Sequence, residues 1–576
     1  NQVASQLFRL QNHCEIAMRV FYCVILALVL AMTMADQVLP SSYSVSPSDP
    51  MYLKKPFVNG AKFFHGGSIH EYDGKTIDVV SPIFDRETNE KTVIGKLAQM
   101  NQDDIDAVLK SAKSAWNNGR GEWPQMSANE RIQALEKVVV SLKERRQSII
   151  DVLMWEICKS ADDAAAEFDR TMTFIESTIK AFRDMDASDG SWRTVSGILA
   201  KVRRAAVGIM LCLGPFNYPF NETYATLIPA LLAGNIIIMK IPNLGGLAHV
   251  LTMEVYAKHL PAGAINFFSG SGRETMGPLM STGDIDILAF IGGSKAADQV
   301  IKAHPHPHRL KVFLQLEGKN LGIVMPDADI DTAVKQITVG TTNYNGQRCT
   351  AIKLVMVHKS VVNQFLEKFI PSINALKWGL PWSPGVAITP LPEPDKPKYL
   401  LGAITDAVVH GASVINVLDG GGHLHGTLMR PAIVYPVNSK MKLWHEEQFG
   451  PVIPVAVYSD IEEVYDYIAK MPYGQQAAVF TSDAAASAPL IDVLSTVVGR
   501  INVNTQCGRS PDSYPFSGRR SSALGTMSVT EAIKAFSIET VVAAKKDSTN
   551  EAILRAYESH SKFMEPLEVD GLKQEL

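Results

Sequence analysis

The stretch Ala205-Ala206-Val207-Gly208-Ile209-Met210-Leu211-Cys212-Leu213-Gly214-Pro215-Phe216-Asn217 decides the fold. Its apolar run stops at Gly214-Pro215, as a buried strand does where it enters a loop. The same punctuation returns twice: Ile236 to Met239 runs into Lys240, and Ala264 to Phe268 into the turn Gly270-Ser271-Gly272. From about Thr76 onward, short β-branched runs alternate with amphipathic helical stretches, the pattern of parallel sheets joined by helices. The expected class is α/β. Open parallel sheets bind ligands beyond the carboxyl ends of their strands, so Asn217, Lys240 and the glycine turn stand within reach of a dinucleotide.

Working outward, 576 residues exceed one hydrophobic core and imply two or more domains. Hydrophobic residues make up 46% and charged residues 20%, ordinary for a soluble globular protein, and a net charge of -4 offers no field for nucleic acid. The chain shows no internal repeat and no coiled-coil heptad. Its cysteines, Cys14, Cys23, Cys158, Cys212, Cys349 and Cys507, are widely spaced and contain no C-x-x-C pair, so neither a disulfide framework nor a zinc site is suggested. His304, His306 and His308, interleaved with prolines, read as a surface loop before a strand, and no metal is assigned.

Both ends are unlike the middle. Met18-Arg19 precedes an apolar run from Val20 to Met34 ending in Ala35, which resembles a secretory signal peptide and is short for a membrane span. Met51 is an alternative start. Lys573-Gln574-Glu575-Leu576 resembles an endoplasmic-reticulum retention tetrapeptide, which would imply the secretory pathway. Against that address, the sequon Asn221-Glu222-Thr223 follows closely on Asn217, where a glycan would obstruct substrate. The balance leans to the cytosol.

One cysteine has a chemical setting. In Asn345-Gly346-Gln347-Arg348-Cys349-Thr350 the neighbouring arginine is expected to favour the thiolate of Cys349 and hence its nucleophilicity. A lone cysteine is more often a buried structural residue, so partners elsewhere decide the matter. Gly214 to Pro219, Asn345 to Thr350 and Glu446-Glu447-Gln448-Phe449-Gly450-Pro451 supply them, in the order in which the aldehyde dehydrogenase superfamily carries its substrate-side asparagine, nucleophile and nicotinamide motifs. The chain resembles that superfamily from about residue 52 to 546.

The resemblance implies a mechanism. Thiolate addition to an aldehyde gives a tetrahedral alkoxide that needs preorganised donors, a role assigned to the Asn217 amide and the Cys349 backbone N–H. For the cofactor it implies Lys240 at the adenosine ribose and Asn243 where NAD-preferring members often carry glutamate; a neutral side chain there does not repel a 2′-phosphate, so NADP is expected. Gly270, Gly272, Gly277, Gly293 and Ser294 resemble the segments near adenosine and pyrophosphate, and Glu447 and Phe449 those at the nicotinamide. Arg170, Tyr218, Arg348 and Arg509 are similar to the phosphate-binding residues of the non-phosphorylating glyceraldehyde-3-phosphate dehydrogenases, a task that suits forked guanidinium groups. The implied substrate is a phosphorylated aldehyde.

The architecture so implied is two Rossmann-like parallel-sheet α/β domains plus a small β oligomerisation arm. Residues 1–50 form an N-terminal extension, 51–185 and 205–315 the NADP-binding domain, 316–500 the catalytic domain, 186–204 and 501–545 the arm, and 546–576 a polar tail. Members of the superfamily commonly assemble as dimers or tetramers through that arm, so a homo-oligomer is expected.

One departure matters. Where the superfamily usually carries its general base in E-L-G-G-K, this chain reads Gln315-Leu316-Glu317-Gly318-Lys319. An amide takes no proton from water. Residues two apart on a strand share a face, which offers Glu317 as a carboxylate displaced by about 6–7 Å; a local cap or ion pair for Glu317 is the other reading. Loss of the base also leaves open a coenzyme A-acylating enzyme, or a non-catalytic binding protein on this fold.

Overall fold

The computed structural model describes residues 44–567. The signal-like segment, Cys14, Cys23 and the Lys573 to Leu576 tetrapeptide lie outside them.

The first sheet has five parallel strands, in the order Lys311–Gln315, Ile287–Ile291, Ile209–Leu213, Ile236–Ile241 and Ile265–Ser269. Ile209–Leu213 is buried at every position, because helices cover both faces. From that strand the chain runs twice to one side and then returns to build the other. The reversal opens a crevice at the carboxyl ends of Ile209–Leu213 and Ile287–Ile291, where a ligand is expected. A hairpin, Lys62–His65 and Ser68–Glu71, closes one edge and Ala523–Leu524 the other.

The four-residue link 316–319 carries the chain from Lys311–Gln315 straight into Asn320–Val324 of a second sheet. Its order is Ser413–Val414, Ala432–Tyr435, Val452–Tyr458, Ile352–His358, Asn320–Val324, Gln476–Phe480 and Arg500–Val503, parallel except at Ser413–Val414. The carboxyl edge of one sheet thereby faces the amino edge of the other. A third, antiparallel sheet pairs Ile538–Lys545 with Ile198–Ala205 and Arg193–Val195. Its hairpin turns on Ser196 (φ 50°) and Gly197 (φ 79°), both left-handed as a two-residue loop requires. The expected α/β class, with two parallel-sheet units and a small β arm, holds.

Three boundaries move. Two strands in or next to residues 501–545, expected in the arm, belong instead to the large sheets: Arg500–Val503 ends the second and Ala523–Leu524 the first. Residues 44–45, placed in the extension, pair in parallel with Phe84 and Asp85, and Val45 is fully buried. The polar tail is docked as far as residue 567. Helix Ser548–His560 presents Glu558 to Trp192 Nε1 at 2.8 Å and Lys201 Nζ at 2.7 Å, and Met564 and Leu567 are buried. Charge at the surface of this segment conceals apolar anchors at Leu554, Met564 and Leu567.

Candidate active site

Helix Ile330–Thr342 gives way to a turn in which Tyr344 (φ 48°), Asn345 (φ 57°) and Gly346 (φ 71°) are all left-handed. Such backbone persists only where the surroundings hold it. Tyr344 donates its hydroxyl to Ile157 O at 2.9 Å. Asn345 Oδ1 accepts from Thr389 N at 2.9 Å while its Nδ2 donates to Thr389 O at 3.0 Å. A Cβ at position 346 would lie 2.7 Å from Thr341 O and 2.9 Å from Gly450 O, so glycine is required.

This turn delivers Cys349 to the crevice. Its carbonyl is pinned by Asn320 Nδ2 at 2.7 Å and Lys353 Nζ at 3.0 Å. Asn217 lies alongside, donating Nδ2 to Gln347 O at 2.8 Å; an amide carries two N–H groups, so the second is left for the cavity. Burial pushes the Cys349 thiol up to about 11, and Glu222 is the charge that adds most to this, opposed by Lys353 and Arg509. The expected influence of Arg348 is corrected: its guanidinium turns back onto Val339 O, Gly340 O and Gln506 Oε1 at 3.3–3.4 Å. Burial thus favours the thiol form of Cys349.

The cavity in front of Cys349 has a volume of about 710 Å³ and is lined by Arg170, Tyr218, Arg348 and Arg509 together. Their meeting is the information no sequence carries. Arg170 forms a bidentate pair with Asp512, at 2.9 and 2.7 Å. Arg509 pairs with Glu222 through Nη1, and its Nε lies 3.1 Å from Asp512 Oδ1. Arg509 Nη2 and Arg348 Nε are buried donors with no hydrogen-bond partner among the described residues. Two carboxylates, Glu222 on the cavity wall and Asp512, thus pair with Arg170 and Arg509.

At the other end, Glu447 Oε1 is held by Lys353 Nζ at 2.7 Å and Gly318 N at 3.1 Å, and the Phe449 ring meets Phe216 edge-on at 5.9 Å. Lys240, at the end of Ile236–Ile241, reaches Ile241 O at 3.4 Å, and burial pulls its ammonium down to about 8 with no carboxylate contributing. Asn243 is exposed in the following loop. Gly270 is left-handed (φ 154°), and its Cβ would meet Met100 O at 3.0 Å. A Cβ at Gly272 or Gly277 would meet nothing within 4 Å, so close packing at that atom explains neither glycine.

The aldehyde dehydrogenase family profile matches residues 69–542, more than four-fifths of the chain. The chain belongs to the aldehyde dehydrogenase family. Its relatives include the NADP-dependent glyceraldehyde-3-phosphate dehydrogenase of Streptococcus equinus, 32% identical over 77% of this chain and 91% of that protein. The protein of the same name from Pisum sativum is 30% identical over 80% and 90%. Among solved structures, the NADP-dependent glyceraldehyde-3-phosphate dehydrogenase of Bacillus halodurans C-125, complexed with NADP, superposes with a TM-score of 0.77 at 28% identity, covering 84% of this chain and 99% of that one.

This aldehyde dehydrogenase departs from the E-L-G-G-K pattern at two positions. Gln315 is buried beside the cavity, and neither amide atom has a hydrogen-bond partner among the described residues. Glu317 turns the other way, accepting from Ser294 N at 2.8 and 2.9 Å and from Ser294 Oγ at 3.3 Å. It caps helix Ser294–Lys302, next to Gly293, and the arrangement favours the local reading of Glu317 over the base.

Sequence reasoning missed the residues that brace the dehydrogenase site. Glu167 Oε1 accepts from Phe220 N at 3.0 Å and Asn221 N at 3.1 Å, capping helix Pro219–Leu232, and its other oxygen pairs with Lys159. Both side chains are fully buried, and the Lys159 ammonium sits 3.2 Å from the Tyr218 ring centroid and 4.9 Å from that of Tyr344. Glu167 precedes Arg170 in Glu167-Phe168-Asp169-Arg170, so its signal was present but indistinguishable from a solvated charge. Asn221 of the sequon is buried, with Nδ2 3.3 Å from Thr171 Oγ1. No helix among the described residues is long and apolar enough to cross a membrane.

Proposed function

We propose that this aldehyde dehydrogenase oxidises glyceraldehyde 3-phosphate to 3-phosphoglycerate with NADP, through a Cys349 thioester and without inorganic phosphate. The observation that carries the reading is the convergence of Arg170, Arg348, Arg509 and Tyr218 on the cavity of Cys349, with two buried guanidinium donors that have no hydrogen-bond partner among the described residues. Charge-assisted, forked hydrogen bonds of this kind suit a phosphate. The names of the Streptococcus, Pisum and Bacillus relatives support the same substrate and cofactor.

The residues present fit NADP. A buried ammonium without a carboxylate, Lys240, and a neutral Asn243 suit a 2′-phosphate. The Glu317 carboxylate at Ser294 N acts as a stand-in anion and marks the start of helix Ser294–Lys302 as a site for the pyrophosphate. Glu447 and Phe449 would hold the nicotinamide riboside. When bound, NADP supplies the hydride acceptor.

The chain's own residues do the rest. Cys349 loses its proton and adds to the aldehyde carbon, and the alkoxide is met by the free N–H of Asn217 and the Cys349 backbone N–H. Collapse of the alkoxide leaves the acyl group on sulfur, and water releases it. The exposed strand Ile538–Lys545, with Ile538 and Val541 each more than half exposed, supports a homo-oligomer joined through the arm.

The test is NADP reduction by the purified protein with glyceraldehyde 3-phosphate, in the absence of phosphate, arsenate and coenzyme A, with 3-phosphoglycerate quantified. Equal amounts of NADPH and 3-phosphoglycerate are expected; no NADPH rejects the substrate. A second reading, transfer of the acyl group to a thiol acceptor, is favoured by Gln315, and its mark is a single burst of NADPH that continues when coenzyme A is added.

A further inference from the structure

We infer that Glu222 is the base that activates water to hydrolyse the Cys349 thioester. The inference rests on the reading that this chain forms such a thioester. Gln315 stands where the family resemblance would put a carboxylate, and an amide accepts no proton from water. Four glutamates line the cavity: Glu222, Glu317, Glu393 and Glu447. Three are engaged away from the substrate end. Glu317 caps helix Ser294–Lys302, Glu447 is held by Lys353 at 2.7 Å and by Gly318 N, and Glu393 pairs at 3.0 Å with Lys396, whose ammonium lies 5.7 Å from the Phe449 ring.

Glu222 differs from the others. It stands in the first turn of helix Pro219–Leu232, one turn beyond Asn217, on the wall shared with Cys349, Tyr218 and Arg509. Its Oε1 meets Arg509, whereas Oε2 makes no hydrogen bond among the described residues. The side chain is 12% exposed, enough to meet one water but shielded from bulk solvent. Its charge acts on the Cys349 thiol more strongly than any other, as follows from carboxylate and sulfur lining one cavity. Glu167 fixes the first turn of the helix through Phe220 N and Asn221 N, and Arg509 anchors one oxygen of the Glu222 carboxylate.

The step balances. A water oxygen bonds to the acyl carbon while one water proton passes to Glu222. The tetrahedral intermediate then breaks its C–S bond and sulfur leaves as thiolate. The new carboxylic acid loses its proton to that thiolate, and Glu222 gives its own proton to solvent. Nothing is oxidised or reduced in this half of the cycle.

The experiment compares wild type, Glu222→Gln and the double variant Glu222→Gln with Gln315→Glu, following the NADPH burst and the steady state with glyceraldehyde 3-phosphate. In Glu222→Gln the amplitude of the burst is expected to be retained and turnover to fall by about 100-fold or more. The double variant is expected to regain turnover to within about tenfold of wild type, because it returns a carboxylate to the other wall of the same cavity. Turnover unchanged in Glu222→Gln overturns the inference. So do burst and turnover falling together without rescue, or a wild type that arrests after one burst. If glyceraldehyde 3-phosphate gives no burst at all, the substrate reading fails separately. p-Nitrophenyl acetate, which acylates a cysteine without hydride transfer, then decides on the same criteria, with acetate release as turnover; failure to acylate Cys349 overturns the inference.

Discussion

Glu317 accepts a hydrogen bond from the Ser294 amide on each of its carboxylate oxygens, at 2.8 and 2.9 Å. An anion of the protein itself therefore occupies the helix start proposed for the NADP pyrophosphate, and the two would compete. Removing the charge in Glu317→Gln is expected to tighten NADP binding by about 5–30-fold, the equivalent of about 1–2 kcal/mol for a carboxylate at a helix N-terminus. Fluorescence titration measures this directly; unchanged or weaker binding would count against the competition.

Lys240 gives NADP binding a pH dependence of definite sign. Burial holds its ammonium down to about 8, and a 2′-phosphate binds the charged form. Affinity for NADP is expected to be flat from about pH 6.5 to 7.5 and to fall towards tenfold per unit above pH 8, while affinity for NAD stays level. A flat NADP profile to pH 9 would remove Lys240 from the phosphate.

Arg348 offers the cleanest test of the phosphate site, because it holds no carboxylate that its removal would leave uncompensated. Loss of one charge-assisted contact costs about 1.5–3 kcal/mol, so Arg348→Ala is expected to lower kcat/KM for glyceraldehyde 3-phosphate by about 10–150-fold. Unphosphorylated glyceraldehyde is expected to change by less than about threefold. Equal losses for both substrates would assign Arg348 to the nucleophile turn alone.

The buried pair of Lys159 and Glu167 predicts a stability effect. Glu167→Ala removes a helix cap and leaves an ammonium buried among aromatic rings, an arrangement that costs about 3–5 kcal/mol. A large drop in Tm is expected, with Lys159→Met/Glu167→Leu recovering part of it because no charge then remains unpaired. A single variant as stable as wild type would refute the accounting.

Much of this was legible in the order of residues, for reasons that differ by element. Ile209–Leu213, Ile236–Ile241 and Ile265–Ser269 are covered on both faces, so apolar content alone marks them. The two-residue strand Ala523–Leu524 has no period to detect, and its place on the first sheet was misassigned to the arm. Cys349 was found because its motif is local; its electrostatics were not, because Arg348 is adjacent along the chain yet folds back onto Val339 O and Gly340 O. Glu222 was read as part of a sequon and Glu167 as a neighbour of Arg170. A charge is invisible as a buried partner until the elements that enclose it are assembled.

The docked closing segment also sets an order of events during synthesis. Arg203 donates to the carbonyls of Phe563 and Glu565, Asn129 Nδ2 reaches Pro566 O at 3.0 Å, and Lys562 pairs with Glu130 at 2.9 Å. Domains made first on the ribosome normally fold first. Here the helix Ala128–Glu144 and the strand Ile198–Ala205 wait for residues translated more than 350 positions later. The nascent first domain therefore travels unfinished through most of translation, and a ribosome stalled a few dozen codons early would leave it without its last clasp.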